Sequence, residues 1–369
     1  MFWINDAQLD DEQKAAVRQI PLDTSFLLTG PAGSGKTNVL LLRARWLRAK
    51  SLSDFRIIVF TSSLRDFIRT GAAQYGVPPD AVVTAHQFFR DFLSDYGQKF
   101  EATGNFEQDR SMLAGQVNSL IISKNISDIY PALLIDEGQD YTDTELLVFR
   151  KLTPRLMIAC DTRQSIYRQT VTHEIISSIV ENTVVELKYH YRTGLKICTV
   201  ADKILIDSKN FPSIRDHCKY DEKAKPSSLE INDCSSFDMQ IELIISKLSK
   251  QVDLYGDALI GVLFPKKEQQ VAFAAALEYD ATIGRKETIR VNTLHGSKGW
   301  EYQAVHIGGC EALSRMGGVQ KRLIYTGILR ARTSVNIYHT GHIPGYLEGA
   351  FSSILPPKRD PDLSELFGD

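Results

Sequence analysis

The chain has 369 residues, with 43 Lys plus Arg against 45 Asp plus Glu, a formal charge of −2, and 43% hydrophobic residues. That length allows two domains of ordinary size, each with its own core. The composition is that of a globular protein and contains no apolar run of the roughly 20 residues that a membrane-spanning helix needs. Met1 to Asp6 has neither a basic start nor an apolar core, so no secretory leader is expected there. The five cysteines (Cys160, Cys198, Cys218, Cys234 and Cys310) are scattered without CxxC or Cys/His spacing. A reduced, cytoplasmic protein without a structural zinc site, and with no membrane partner, is the expectation.

In chain order, Ser25–Thr29, Arg56–Phe60, Ala132–Ile135 and Arg155–Ala159 are short apolar runs that mostly stop at a small or polar residue. Such runs, without period-2 alternation, suit a parallel sheet covered on both faces. Helical patterns lie between them; Asn38 to Ala49 places Val39, Leu40, Leu42, Trp46 and Leu47 on one broad face. The basic residues Arg43, Arg45, Arg48 and Lys50 on this helix read as a solvated face. A second strand set follows at Thr183–Leu187, Ala258–Leu263, Thr288–Val291 and Ala304–Ile307, interrupted by a polar stretch over 207–238. Strand–helix alternation predicts an α/β protein of doubly wound parallel sheets. The expected boundaries are 1–188 for the first domain, with a small helical insertion at about 92–128, and 189–352 for the second. A flexible tail is expected at 353–369, where Leu363, Leu366 and Phe367 form a candidate docking cluster.

Gly30-Pro31-Ala32-Gly33-Ser34-Gly35-Lys36-Thr37 fits GxxxxGK[ST] between a strand and a helix. Glycines let backbone N–H groups converge on phosphate oxygens at the positive end of the helix. Lys36 supplies charge to the β- and γ-phosphates, and the Thr37 hydroxyl is a magnesium ligand. Asp136 and Glu137 end a later strand. In a P-loop context Asp136 is the second protein ligand to Mg2+, and Glu137 is the general base that polarises water. Gln164, after the strand ending near Cys160, is placed to sense the γ-phosphate. ATP and Mg2+ are therefore the expected cofactors.

Six further segments, taken with these, resemble the UvrD/Rep/PcrA group of superfamily 1 helicases over nearly the whole chain. Leu9 to Ala16 resembles the Q motif, which implies that Gln13 reads the adenine edge. Asp136 to Asp140 is similar to the DExQD box, and Asp161 to Tyr167 ends in QSIY. His190-Tyr191-Arg192-Thr193 resembles NYRS, implying Tyr191 near the base and Arg192 on the γ-phosphate. Asn292 to Glu301 resembles TLHxxKGLE, implying Glu301 near the ribose. Arg322 to Arg332 resembles the last motif, whose first arginine falls on Arg330. The resemblance implies two RecA-like domains in tandem with an ATP cleft between them, and Arg192 and Arg330 acting as fingers. Thr61, Ser62, Arg65, His86, Tyr167, Thr293 and His295 fall where the family meets the nucleic-acid strand. Residues of the type of Thr61, Ser62 and His86 in strand-end loops are also common caps, so both readings stand for them.

The sequence departs from the pattern in two ways. Only residues 89–134 lie between Phe88 and Ile135, and only residues 193–292 between Arg192 and Thr293, so the large family insertions are reduced or absent. Gln169 stands where the family carries a base-stacking Trp after QSIY. Three functions are weighed. One is a translocase or helicase on single-stranded nucleic acid, DNA before RNA. Another is an ATP-driven switch or accessory subunit beside a nuclease or effector, as in bacterial antiviral systems. The third, a metabolic P-loop kinase, leaves the later motifs unexplained.

Overall fold

A computed structural model describes residues 3–161, 163, 173–205, 212–316 and 319–354. The chain divides into two compact units, Met1–Arg192 with Lys298–Trp300, and Thr193–Ser297 with Glu301–Asp369. Each is built on a parallel sheet with alternating helices.

The first unit runs α1 (Asp11–Arg18), β1 (Phe26–Thr29), α2 (Lys36–Ala49), β2 (Arg56–Val59), α3 (Ser62–Ala72), β3 (Val82–Thr84) and α4 (Ala85–Asp95). It continues through α5 (Phe106–Lys124), β4 (Leu133–Ile135), α6 (Asp143–Leu152), β5 (Leu156–Cys160), α7 (His173–Ile179) and β6 (Val184–Glu186). Its six strands lie in the order β3-β2-β4-β5-β1-β6, all pairs parallel. Successive side chains of a strand point to opposite faces, and both faces are buried. Phe26 and Leu28 of β1 join a core with Val39, Leu40 and Leu47 of α2. Leu27 joins a second core with Phe89 of α4, Leu113 of α5 and Phe149 of α6. This double burial explains the near-continuous apolar runs of the sequence.

The second unit runs α8 (Leu195–Ile204), β7 (Ser228–Asp233), α9 (Phe237–Tyr255), β8 (Ile260–Phe264), α10 (Lys267–Tyr279), β9 (Ile289–Thr293), β10 (Tyr302–Ile307), α11 (Gln320–Ile328), β11 (Ala331–His339) and α12 (Gly345–Ser352). Its five parallel strands are ordered β7-β11-β10-β8-β9. Ile260, Val262 and Phe264 pack with Ile244 and Leu248 of α9 and Phe273 of α10.

The structure corrects three sequence expectations. Thr183–Leu187 contributes β6 to the first sheet, beside β1, rather than opening the second strand set. The polar stretch 207–238 contains β7, an edge strand whose residues are mostly exposed or half-buried, so it lacks an apolar run. Arg43 is not solvated: it is 4% exposed, donates to the carbonyls of Val17, Ile20 and Pro21, and lies over the rings of Phe26 and Trp46. Burial lowers its pKa to about 10. This guanidinium ties the end of α1 to α2, so its charge serves packing.

Candidate nucleotide site

The C-terminal ends of β1, β4 and β5, which lie side by side in the first sheet, carry the candidate phosphate site. Such strand ends are where parallel α/β sheets bind ligands. After Thr29 the chain turns through Gly30–Gly35 and enters α2 at Lys36. Gly33 and Gly35 have φ of 79° and 86°, a region that L side chains seldom adopt. Space enforces the same choice, because a Cβ on Gly33 would stand 2.7 Å from Cβ of Arg192. Gly35 caps α2 with no side-chain hydrogen bond, so the first turn of the helix presents backbone N–H groups and its positive end.

The loop is braced from several sides. Lys36 is 9% exposed and its ammonium donates to the carbonyls of Gly30 (2.8 Å) and Pro31 (3.1 Å). Gln13 Nε2 donates to the Ser34 carbonyl at 2.8 Å while its Oε1 accepts the Asp10 N–H at 3.1 Å. The amide predicted to read adenine thus braces the loop. The Ser34 hydroxyl is fully buried and has no hydrogen-bond partner among the described residues, an orphaned polar atom inside the phosphate cradle.

Thr37 Oγ1 donates to Asp136 Oδ2 at 2.8 Å, which joins the P-loop helix to the end of β4. Burial, and then the neighbouring Glu137, raise the Asp136 carboxyl above the usual range, against the Thr37 hydrogen bond and Lys36. A hydroxyl and a carboxylate converging at a helix N-terminus are hard oxygen donors suited to Mg2+, so these residues fit that ion. Glu137 lies in the left-handed region with φ 55°. For a residue with a side chain this costs on the order of 1–3 kcal/mol unless the surroundings hold it. They do: its N–H donates to Asp136 Oδ1 (2.9 Å), and Gln139 Nε2 donates to its carboxylate (2.5 Å). Gln139 Oε1 in turn accepts the Asp161 N–H at the end of β5 (2.9 Å). A Cβ on Gly138 would stand 2.3 Å from Ile158 Cγ2, so the turn is pressed against β5. Asp140 ends the turn fully buried, with Lys298 Nζ 2.5 Å from its carboxylate.

Beside the loop, the Tyr191 hydroxyl donates to Asp10 Oδ2 (2.5 Å), and the Tyr191 N–H donates to the Gly33 carbonyl (3.3 Å). Burial and the Asp10 contact push the phenol pKa well up. The structure thus brings Gln13, Tyr191 and Arg192 to the P-loop within the first unit. Glu301, Arg330, Thr293 and His295 belong to the second unit. There Arg330 is 3% exposed at the junction of α11 and β11, and its carbonyl accepts the Tyr302 N–H (2.9 Å). Gln164 and Tyr167 lie outside the described residues.

Four of the candidate strand contacts, Thr61, Ser62, Arg65 and His86, lie toward one edge of the first sheet, after β2 and β3. Thr61 caps α3, accepting from the Leu64 N–H (3.1 Å), with Ser62 in the first turn. Arg65 pairs with Asp66 (2.9 Å). His86, in the first turn of α4, stands edge-on to Phe100, and burial followed by Arg90 lowers its pKa. Thr293 Oγ1 accepts the Gly296 N–H (3.0 Å), a capping bond after β9. Thr61, Arg65, His86 and Thr293 thus each have a local partner.

Sequence reading missed several residues that build the site. Asp10 had a signal, the D-x-x-Q capping box it forms with Gln13. Lys298, which pins Asp140 from a distant segment, is the lysine of the TLHxxKGLE-like stretch but was given no role there, and Arg110 had no local signal.

Residues 13–170 match a protein family described as an AAA domain, a P-loop domain found in UvrD/Rep-like superfamily 1 helicases. The match is to a P-loop NTPase domain. It spans less than half of the chain and lies within the unit that holds the phosphate cradle. No curated protein matches the chain. Among the described residues, no helix is long and apolar enough to cross a membrane.

Proposed function

We propose that this chain hydrolyses Mg-ATP and couples hydrolysis to movement on single-stranded nucleic acid, as a UvrD-like superfamily 1 translocase or helicase. The observation that carries the hydrolytic reading is the 2.8 Å bond from Thr37 to Asp136, which sets Lys36 and Glu137 around one cradle. In this reading the P-loop amides and the Ser34 hydroxyl bind phosphate oxygens, and Lys36 exchanges the Gly30 and Pro31 carbonyls for them. Thr37 and Asp136 hold Mg2+, which neutralises phosphate charge when bound. Glu137 takes the proton of the attacking water. Arg192, already against Gly33, stabilises the charge that develops on the γ-phosphoryl group, and Arg330 is proposed as a second such cation. Tyr191 offers its ring to the base and Glu301 lies at the ribose.

Movement on a strand rests on the ordered motifs of the whole chain. The reduced segments 89–134 and 193–292, with Gln169 in place of the stacking Trp, favour a second reading. There the ATPase is a switch or accessory subunit of a nuclease or effector complex. Base stacking is worth about 1–3 kcal/mol per base, so losing one platform weakens grip on a strand. ATP turnover measured alone and with single-stranded DNA, RNA and duplex separates the two. Strong stimulation by single strands together with strand displacement supports the motor. Turnover without stimulation supports the switch, and no turnover under any condition overturns both.

A further inference from the structure

Arg110 comes from α5, a helix of the reduced insertion. It is 6% exposed and lies in the first unit. Its Nε and Nη2 donate to the two carboxylate oxygens of Glu145 at 2.8 and 2.5 Å. The same Nη2 donates to the backbone carbonyl of Asp140 at 2.5 Å, and the guanidinium lies 4.8 Å over the Phe60 ring. Glu145 is itself fixed, because its Oε2 accepts from the Thr142 N–H and hydroxyl in the capping box of α6.

These contacts bear on Glu137 through one short turn. The Asp140 N–H donates to the Glu137 carbonyl at 2.9 Å, so the position of Asp140 fixes the peptide of a residue held in the left-handed region. The turn is anchored at its start by Asp136 on Thr37. At its end Asp140 has two anchors, Lys298 at the carboxylate and Arg110 at the carbonyl. A planar fork that meets two carboxylate oxygens and a carbonyl at once admits one orientation, which an ammonium cannot reproduce.

We propose that Arg110 is a positioning residue for hydrolysis: through Asp140 it holds the Glu137 turn in the geometry that directs the carboxylate at the attacking water. The reduced insertion is then part of the hydrolytic apparatus. Phosphate binding is left to the P-loop, so loss of Arg110 acts on turnover and spares nucleotide affinity. The inference rests on the ATPase reading above.

The test uses the full chain. Wild-type ATP turnover is measured first, and its absence sinks the ATPase reading itself. Given turnover, Arg110→Lys and Arg110→Met are compared with wild type for thermal melting, for the number and affinity of sites for a fluorescent ATP analogue, and for kcat and KM. The expected result is stoichiometric analogue binding and KM within twofold of wild type. The expected fall in kcat is about tenfold for Arg110→Met, about 1.4 kcal/mol, and smaller for Arg110→Lys. Wild-type kcat in a folded Arg110→Met protein overturns the proposal. So does a fall in kcat matched by an equal fall in binding sites, which marks Arg110 as a stability residue only. Should Arg110→Met not fold, the same criteria apply to Arg110→Lys and to Glu145→Gln, which keeps an acceptor for the guanidinium.

Discussion

In the first unit, β1 runs through six residues rich in glycine into α2. In the second, β8 lies inside a similar parallel sheet but passes through Pro265 and Lys266 into α10. The second turn has no glycine, and Lys266 caps α10 without a side-chain bond. Buried polar groups follow the same division. The first unit gathers Lys36, Asp136, Gln139 and Asp140 at strand ends. The second ties His306, the penultimate residue of β10, to Gln251 of α9, to which Nε2 donates (2.7 Å), and to Tyr338 of β11, from which Nδ1 accepts (2.8 Å). An α/β sheet therefore supplies only the platform, and phosphate chemistry depends on one strand–helix turn and the groups that brace it.

If that division is right, the largest effects belong to the first unit. Lys36→Ala and Glu137→Gln are expected to lower ATP turnover about a thousandfold or more, on general-base and electrostatic magnitudes. Glu137→Gln should retain nucleotide binding; normal turnover in it would remove Glu137 as the base. Arg330→Ala tests whether the second unit contributes charge to hydrolysis. A loss of about a hundredfold in kcat is expected on arginine-finger magnitudes, and a change under twofold would confine catalysis to the first unit. Lys298→Met separates bracing from chemistry, because it leaves the Asp140 carboxylate buried without its ammonium partner. Denaturant unfolding should show a loss of about 3 kcal/mol; an unchanged midpoint would mean that Asp140 is not charged in the fold.

The smallest effect comes from the second unit and depends on pH. Burial lowers His306 to about 3. The folded state therefore refuses a proton that the unfolded chain takes near pH 6.5. The stability from this histidine is present above that value and is lost as pH falls toward 3. Between pH 7.5 and 5, wild type should lose about 2 kcal/mol more than His306→Gln. Parallel unfolding curves for the two proteins across that range would disprove it.

What the sequence disclosed follows from the range of each interaction. The P-loop and the Asp136–Asp140 box were legible because their chemistry is contiguous in the chain. β1, β4 and β5 were legible because burial on both faces demands apolar runs. β3 has three residues at a sheet edge, and β11 hides Ser334, Asn336 and His339 among its apolar residues, so neither gives a simple pattern. Arg43 and Arg110 look like ordinary helical surface charges until the partners from other segments are in place. The Arg110–Glu145 fork spans 35 positions, and no local spacing announces it.

One strand has a practical consequence for dissecting the protein. β6 flanks β1 on the side away from β5, and the Leu187 N–H donates to the Thr29 carbonyl just before the P-loop. A truncation ending before Thr183 would leave β1 as a bare edge, with unpaired backbone groups open to strand-to-strand aggregation. A fragment carrying the phosphate site should therefore extend at least through Arg192, well past the end of the segment that matches the AAA domain, and even then it lacks Lys298, the partner of Asp140.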